Sequence, residues 1–149
     1  MKALTVCQPY AHLIASGRKR VENREWPTSY RGLLYIHAGK NRSWLDEDNY
    51  GIALDRMAFG AVVALARLVD CLHIEAIDRG DYDQKYPWLR DHEHTEGTWC
   101  WVLDGVSPIG PWPWRGSQGL FDINESELES IANRQLGIAQ PSSADCREA

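Results

Sequence analysis

No stretch of the 149 residues approaches the roughly 18 consecutive apolar positions that a membrane-spanning helix requires. A helical membrane protein is therefore not expected. Met1 to Pro9 lacks the long apolar core of a secretory signal, and the expected compartment is the cytoplasm. The four cysteines, Cys7, Cys71, Cys100 and Cys146, lie far apart and without paired metal-ligand spacing. That pattern excludes a disulfide framework and reads as reduced, mostly buried thiols. The chain has no glycine-rich phosphate loop, no nucleophile elbow and no internal repeat. Nor is there an excess of positive charge. The net charge of −5 argues against tight non-specific binding along a nucleic-acid backbone.

That average hides a division. Residues 1–42 carry a net +6 and residues 43–149 a net −11. A basic face on an acidic body suits a partner with few phosphates, such as a nucleotide or a short single strand. Seven tryptophans are the other excess. Most should be core, and one or two at a cleft would give bases a stacking surface.

At this length one domain with a substantial core is expected, spanning 1–137, with 138–149 as a loose tail. Ala3 to Cys7 reads as a strand. Gln8-Pro9 opens a helix with Tyr10, Leu13 and Ile14 at i, i+3, i+4, and Gly17 closes it. Val21 to Trp26 is a strand stopped by Pro27, and Leu33 to His37 is the next; a hairpin joining the two is the simplest arrangement. Ser43 to Met57 carries helix-like signals, weakened by Gly51. The apolar run from Phe59 to Leu72 has no decisive period, and its valines tilt it towards strand.

Ile74 to Glu96 is acidic and poorly periodic, predicting a short helix and a long excursion. Thr98 to Leu103 alternates, with Trp99, Trp101 and Leu103 on one face and Cys100 and Val102 on the other. Asp104-Gly105 should turn it, and Pro108, Pro111 and Pro113 exclude a central strand beyond. Leu120 to Ile123 is the last strand. Asn124 to Glu127 forms a capping box for a helix carrying Leu128, Ile131, Ala132 and Leu136, closed by Gly137. The predicted class is α+β: a small mixed β-barrel with helical insertions and a C-terminal helix.

The polar chemistry concentrates between Gly17 and Ala38. On a strand, Glu22, Arg24 and Trp26 share one face. An acid, a guanidinium and an indole together are costly to bury without partners, so they mark either a solvated edge or the wall of a polar pocket. Lys19, at the end of the helix, can lean over that pocket to contact phosphate or, with a lowered pKa, act as base or nucleophile. Glu22 can accept from a base amino group and Arg24 can fork a phosphate or carbonyl. Tyr10 and Trp26 are the stacking candidates. Gln8, Arg31, His37 and Ser117 complete the candidate ligand-binding set, although His37 in a strand is more often a satisfied histidine than a catalyst. Asp91 to Glu96 alternates His with acid, but its spacing matches no standard zinc pattern, and neither a metal nor a cofactor is expected.

These segments resemble the ASCH domain family, whose fold is a PUA-like β-barrel. The resemblance rests on Gln8-Pro9-Tyr10-Ala11, on Gly17-Arg18-Lys19-Arg20-Val21-Glu22-Asn23-Arg24 with Trp26-Pro27-Thr28, and on Tyr30 to Ala38. It continues through Gly60 to Val63, Val69-Asp70-Cys71, Trp99 to Leu103 and Pro113 to Phe121. Tyr10 stands where the family usually has Trp, and Arg20 where Thr is frequent. The resemblance settles the apolar run as strand. It implies binding of single-stranded RNA, a nucleotide or a modified nucleoside in a cleft lined by Lys19, Glu22 and Arg24. It also leaves open a hydrolase, acting on RNA or on an acylated nucleoside, with Lys19 as reactive group and Glu22 as acid–base partner. A threonine is similar in position to Glu22 in relatives acting on acetylated cytidine. A third reading is a protein-interaction module in transcription or translation that uses the acidic 74–96 segment, with partners the sequence does not identify.

Overall fold

The structure, a computed structural model, describes residues 1–137. The expected tail lies outside the described residues. Six strands form one curled, half-barrel sheet. The elements are β1 (Lys2–Val6), α1 (Tyr10–Ala15), β2 (Val21–Arg24), β3 (Gly32–Ala38), β4 (Ala61–His73), α2 (Ile74–Asp78), β5 (Trp99–Pro113), β6 (Leu120–Asp122) and α3 (Glu125–Gln135). The strand order is β2-β5-β4-β3-β1-β6, with only β1 and β3 parallel.

The alternation read from Thr98 to Leu103 separates two apolar clusters. Trp101 and Leu103 join Leu4, Ile14, Leu34, Ile36 and Leu68 in the concave core beneath α1. Cys100 and Val102 point to the other face, where Val21, Leu72, Ile77 and Leu89 close a second cluster under α2 and the excursion after it. Period-2 patterning thus makes one strand the floor of two cores. The long apolar run is strand β4, buried on both faces over its first half and paired with both β3 and β5.

Three expectations fail for physical reasons. β2 and β3 do not form a hairpin: β2 pairs with β5, while β3 lies between β1 and β4. Leu34, Ile36 and Ala38 are fully buried, so β3 needs neighbours on both sides, whereas the polar β2 tolerates an edge. No α-helix spans Ser43 to Met57, which holds only two 3-10 turns, Asn49–Gly51 and Leu54–Arg56. Asp46 Oδ1 accepts from the amides of Asp48 and Asn49, offering the backbone an alternative to helix. Nor does Asp104-Gly105 end the strand. β5 runs on to Pro113 through register shifts against β4, with Gly105 and Gly110 at positive φ. From Leu103 onwards β4 is its only strand neighbour among the described residues, so the prolines sit in an edge segment, where a missing donor is tolerated.

Candidate functional site

The two ends of the sheet approach each other without closing. Across the gap, Arg24 Nη2 on β2 donates to the Thr5 carbonyl on β1 at 2.7 Å. The space beside that bridge is a cleft of about 410 Å³, lined among others by Thr5, Cys7, Tyr10, Lys19, Glu22 and Arg24.

Each wall residue is placed by local structure. Gly17, at φ +82, ends α1, and the Lys19 amide donates to the Leu13 carbonyl, which folds the chain back over the helix end. The Lys19 side chain is thereby turned inward and is 3% exposed. Its Nζ lies 5.4 Å from the Tyr10 ring centroid and 4.0 Å from Glu22 Oε1. Burial lowers the pKa of this ammonium, and the Glu22 carboxylate opposes that shift.

Glu22 is 8% exposed. Its Oε1 accepts from the Asn23 amide at 2.8 Å. Its Oε2 lies 3.5 Å from Arg24 Nη2, a contact that makes no hydrogen bond. Glu22 Oε2 and Arg24 Nε are both buried without a hydrogen-bond partner among the described residues. A buried acceptor and a buried donor, orphaned side by side at a cleft wall, are expensive unless a ligand meets them.

Aromatic rings surround this polar floor. Trp26 packs edge-on against Trp101 at 4.8 Å, and the Trp101 indole N–H donates to the Trp26 carbonyl. Tyr10 lies at the centre of a second group, with Trp44, Tyr50 and His94 at 6.1–6.3 Å between centroids. Burial and its bond with Tyr50 push the Tyr10 phenol up to about 12. His94 is buried beneath this group; burial first, then the nearby Lys19 charge, hold it down to about 4, so its ring is neutral at pH 7.

The structure therefore brings Tyr10, Lys19, Glu22, Arg24 and Trp26 together, as their spacing suggests. Gln8 lies beneath them, its amide donating to the Ala58 carbonyl and accepting from the His12 amide. Arg31 sits elsewhere, paired with Asp70 at 3.6 Å. His37 lines a neighbouring cavity, and Ser117 lines neither. The His37 Nε2 contact to the Trp114 carbonyl, 2.7 Å, fixes the tautomer because a carbonyl only accepts. Nδ1 then accepts from the Thr5 hydroxyl at 3.1 Å. His37 is a satisfied structural histidine.

Sequence reasoning overlooked Asn23, Glu25, Trp44 and Glu96, which also line the cleft. Asn23 and Glu25 have the opposite strand parity; Glu25 lies beyond Arg24, where the regular strand stops and alternation no longer governs, whereas Asn23 lies within the strand and borders the cleft despite its parity. Trp44 and Glu96 come from loops twenty or more residues from β2 in sequence, and no local period links them to it. Among the described residues, no group of three or more His, Cys, Asp or Glu side chains converges as a metal site. Nor is any helix among them long and apolar enough to cross a membrane.

The ASCH domain family model matches residues 4–110, most of the chain and every residue that lines the cleft. The chain belongs to the ASCH domain family. Among solved structures, this ASCH domain is similar to the ASCH protein of Zymomonas mobilis, at 19% identity and a TM-score of 0.53, over 87% of this chain and 92% of that one. Two mutant forms of that protein match at 18% identity with the same TM-score, over 87% and 89% of this chain and 94% of theirs. That likeness fixes the fold. Among curated proteins there is no match.

Proposed function

We propose that this ASCH domain binds single-stranded RNA or a modified nucleoside by taking one base into the cleft walled by Lys19, Glu22 and Arg24. ASCH domains are generally RNA-binding. The observation that carries the reading here is the orphaned pair, Glu22 Oε2 and Arg24 Nε, at the cleft wall. An acceptor beside a donor complements a nucleobase edge that presents an N–H next to an acceptor atom, as each base does. Tyr10, Trp26 and the exposed Trp44 supply stacking faces, and Lys19 supplies charge towards a carbonyl or phosphate. Thermal-shift titration with the four nucleosides, acetylcytidine and short RNAs tests this, since a cleft ligand raises the melting temperature by mass action. At least one of these probes should raise it for wild type, and Lys19→Ala/Arg24→Ala should remove the rise. Equal affinity of wild type and Lys19→Ala/Arg24→Ala for every probe would refute the reading.

A second reading, hydrolysis, is favoured by one feature: the Lys19 ammonium is buried with its pKa lowered, directly beside a carboxylate. A lowered pKa leaves more of the amine neutral, and so available as base or nucleophile near pH 7, and Glu22 can manage the proton. Labelled RNA and acetylcytidine, incubated with wild type and with Lys19→Ala, test it. Identical turnover in both ends this reading and leaves the binding one intact.

A further inference from the structure

Beyond Thr5 lies a second cavity, of about 720 Å³, bounded by His37, Gly39, Lys40, Gly60, Trp114, Arg115 and Gly116. Thr5 lines both hollows. Its carbonyl accepts from Arg24 on the cleft side, and its hydroxyl donates to His37 on the other. The partition is one strand thick and held from both faces.

Two cations reach the rim of this cavity from separate segments. Lys40 follows β3 and Arg115 follows β5; both are exposed, and neither forms an ion pair among the described residues. Most other arginines of the chain are paired with a carboxylate or stacked on an aromatic ring. The Lys40 stem lies across Gly60, where a Cβ would come within 2.6 Å of Lys40 Cε. At Gly116 a Cβ would fall 2.7 Å from His37 and 2.8 Å from Thr5, so the backbone of that turn rests directly on the floor. The floor itself is uncharged, because burial keeps His37 neutral. Two free cations over a neutral, hydrogen-bonded base suit one compact anion that both can reach.

We propose that this cavity is a phosphodiester site, and that it carries the RNA strand leading away from the base held in the first cleft. The assignment rests on the reading of that cleft as a base site. A single strand fits because its backbone can turn around Thr5 between adjoining hollows.

The experiment compares wild type, Lys40→Ala/Arg115→Ala and Lys40→Gln/Arg115→Gln in binding to guanosine, uridine and fluorescein-labelled hexaribonucleotides G6 and U6, from 50 to 300 mM salt. Either double variant should weaken hexamer binding about 10-fold or more at low salt. It should also lower the slope of log K against log salt by roughly 0.7, the contribution of one single-strand phosphate contact. Nucleoside affinity should stay within twofold. Unchanged hexamer affinity and slope in both double variants overturn the phosphodiester site while leaving the base cleft standing, provided Lys19→Ala/Arg24→Ala abolishes binding. If that variant also changes nothing, or wild type binds no probe, the base cleft falls and the second site with it. Inorganic phosphate, at matched ionic strength, should displace hexamer from wild type better than chloride does, and from either double variant no better than chloride does. Equal displacement by phosphate from wild type and both double variants would overturn the assignment of phosphate to this cavity.

Discussion

The two hollows that share Thr5 differ in what lies buried in their walls. The first buries charge: Lys19 and Glu22 are almost inaccessible, 4.0 Å apart, and polar atoms of Glu22 and Arg24 lack hydrogen-bond partners. The second buries a neutral histidine with both ring nitrogens occupied and keeps its cations on the rim. Burial in the first carries a desolvation cost that unpartnered atoms do not recover; burial in the second is offset by a hydrogen bond at each ring nitrogen. A polar group that costs stability where it sits is the better pointer to function.

The sharpest way to break this contrast is to remove one buried charge and then both. Glu22→Ala strands Lys19 and should destabilise by about 3–5 kcal/mol, read as a drop in the urea midpoint, with loss of ligand-induced thermal shift. Lys19→Met/Glu22→Leu should restore stability to wild type or above, yet still show no ligand shift. If that double variant stays as unstable as Glu22→Ala, the charges are structural and the contrast disappears.

The second wall offers a smaller effect. His37→Ala leaves the Thr5 hydroxyl and the Trp114 carbonyl without their partner, and should cost about 1–3 kcal/mol in the same denaturation measurement. A change under half a kcal/mol would mean water replaces the ring freely.

Trp44 separates binding from folding. It is 60% exposed, so Trp44→Ala should leave the melting temperature nearly unchanged. The same substitution should weaken RNA binding by about 1–3 kcal/mol in fluorescence anisotropy. Undiminished affinity would remove Trp44 from the base site.

The subtlest prediction concerns acid. His94 is held neutral by burial, by Lys19 and by His92 and Arg18, against the opposing Glu93. Its folded pKa, about 4, lies below the ordinary 6.5, so the unfolded chain binds the proton first. The stability due to this residue is complete above pH 6.5 and falls away as pH drops towards 4. His92 and His37 are shifted in the same direction. His94→Phe should therefore flatten, without abolishing, the fall in melting temperature between pH 7 and 5. An unaltered slope would show that His94 does not titrate as described.

Much of this was legible in the chain. Alternation from Trp99 to Leu103 assigned side chains to two cores, Asn124 capped α3 through the Glu127 amide, and the i, i+2 spacing of Glu22 and Arg24 within β2 grouped them at one cleft. The failures share a cause. Pairing β2 with β5 rather than β3, and recruiting Trp44 and Glu96 to the cleft, depend on contacts between residues far apart in sequence, which periodicity does not encode. The 43–57 segment misled because its acids serve local turns as readily as helix starts.

By itself, then, the sequence determined the chemical inventory: a basic, aromatic amino-terminal third, the strand parity that groups an acid with a guanidinium, and the apolar content of both cores. Tertiary structure alone decided that the sheet would curl until Arg24 met the Thr5 carbonyl, enclosing Lys19 and Glu22 and dividing one polar face into two hollows. The reason is physical. Side-chain type and period are local properties, whereas burial and the satisfaction of each polar atom are set by whichever distant segments come to rest against it.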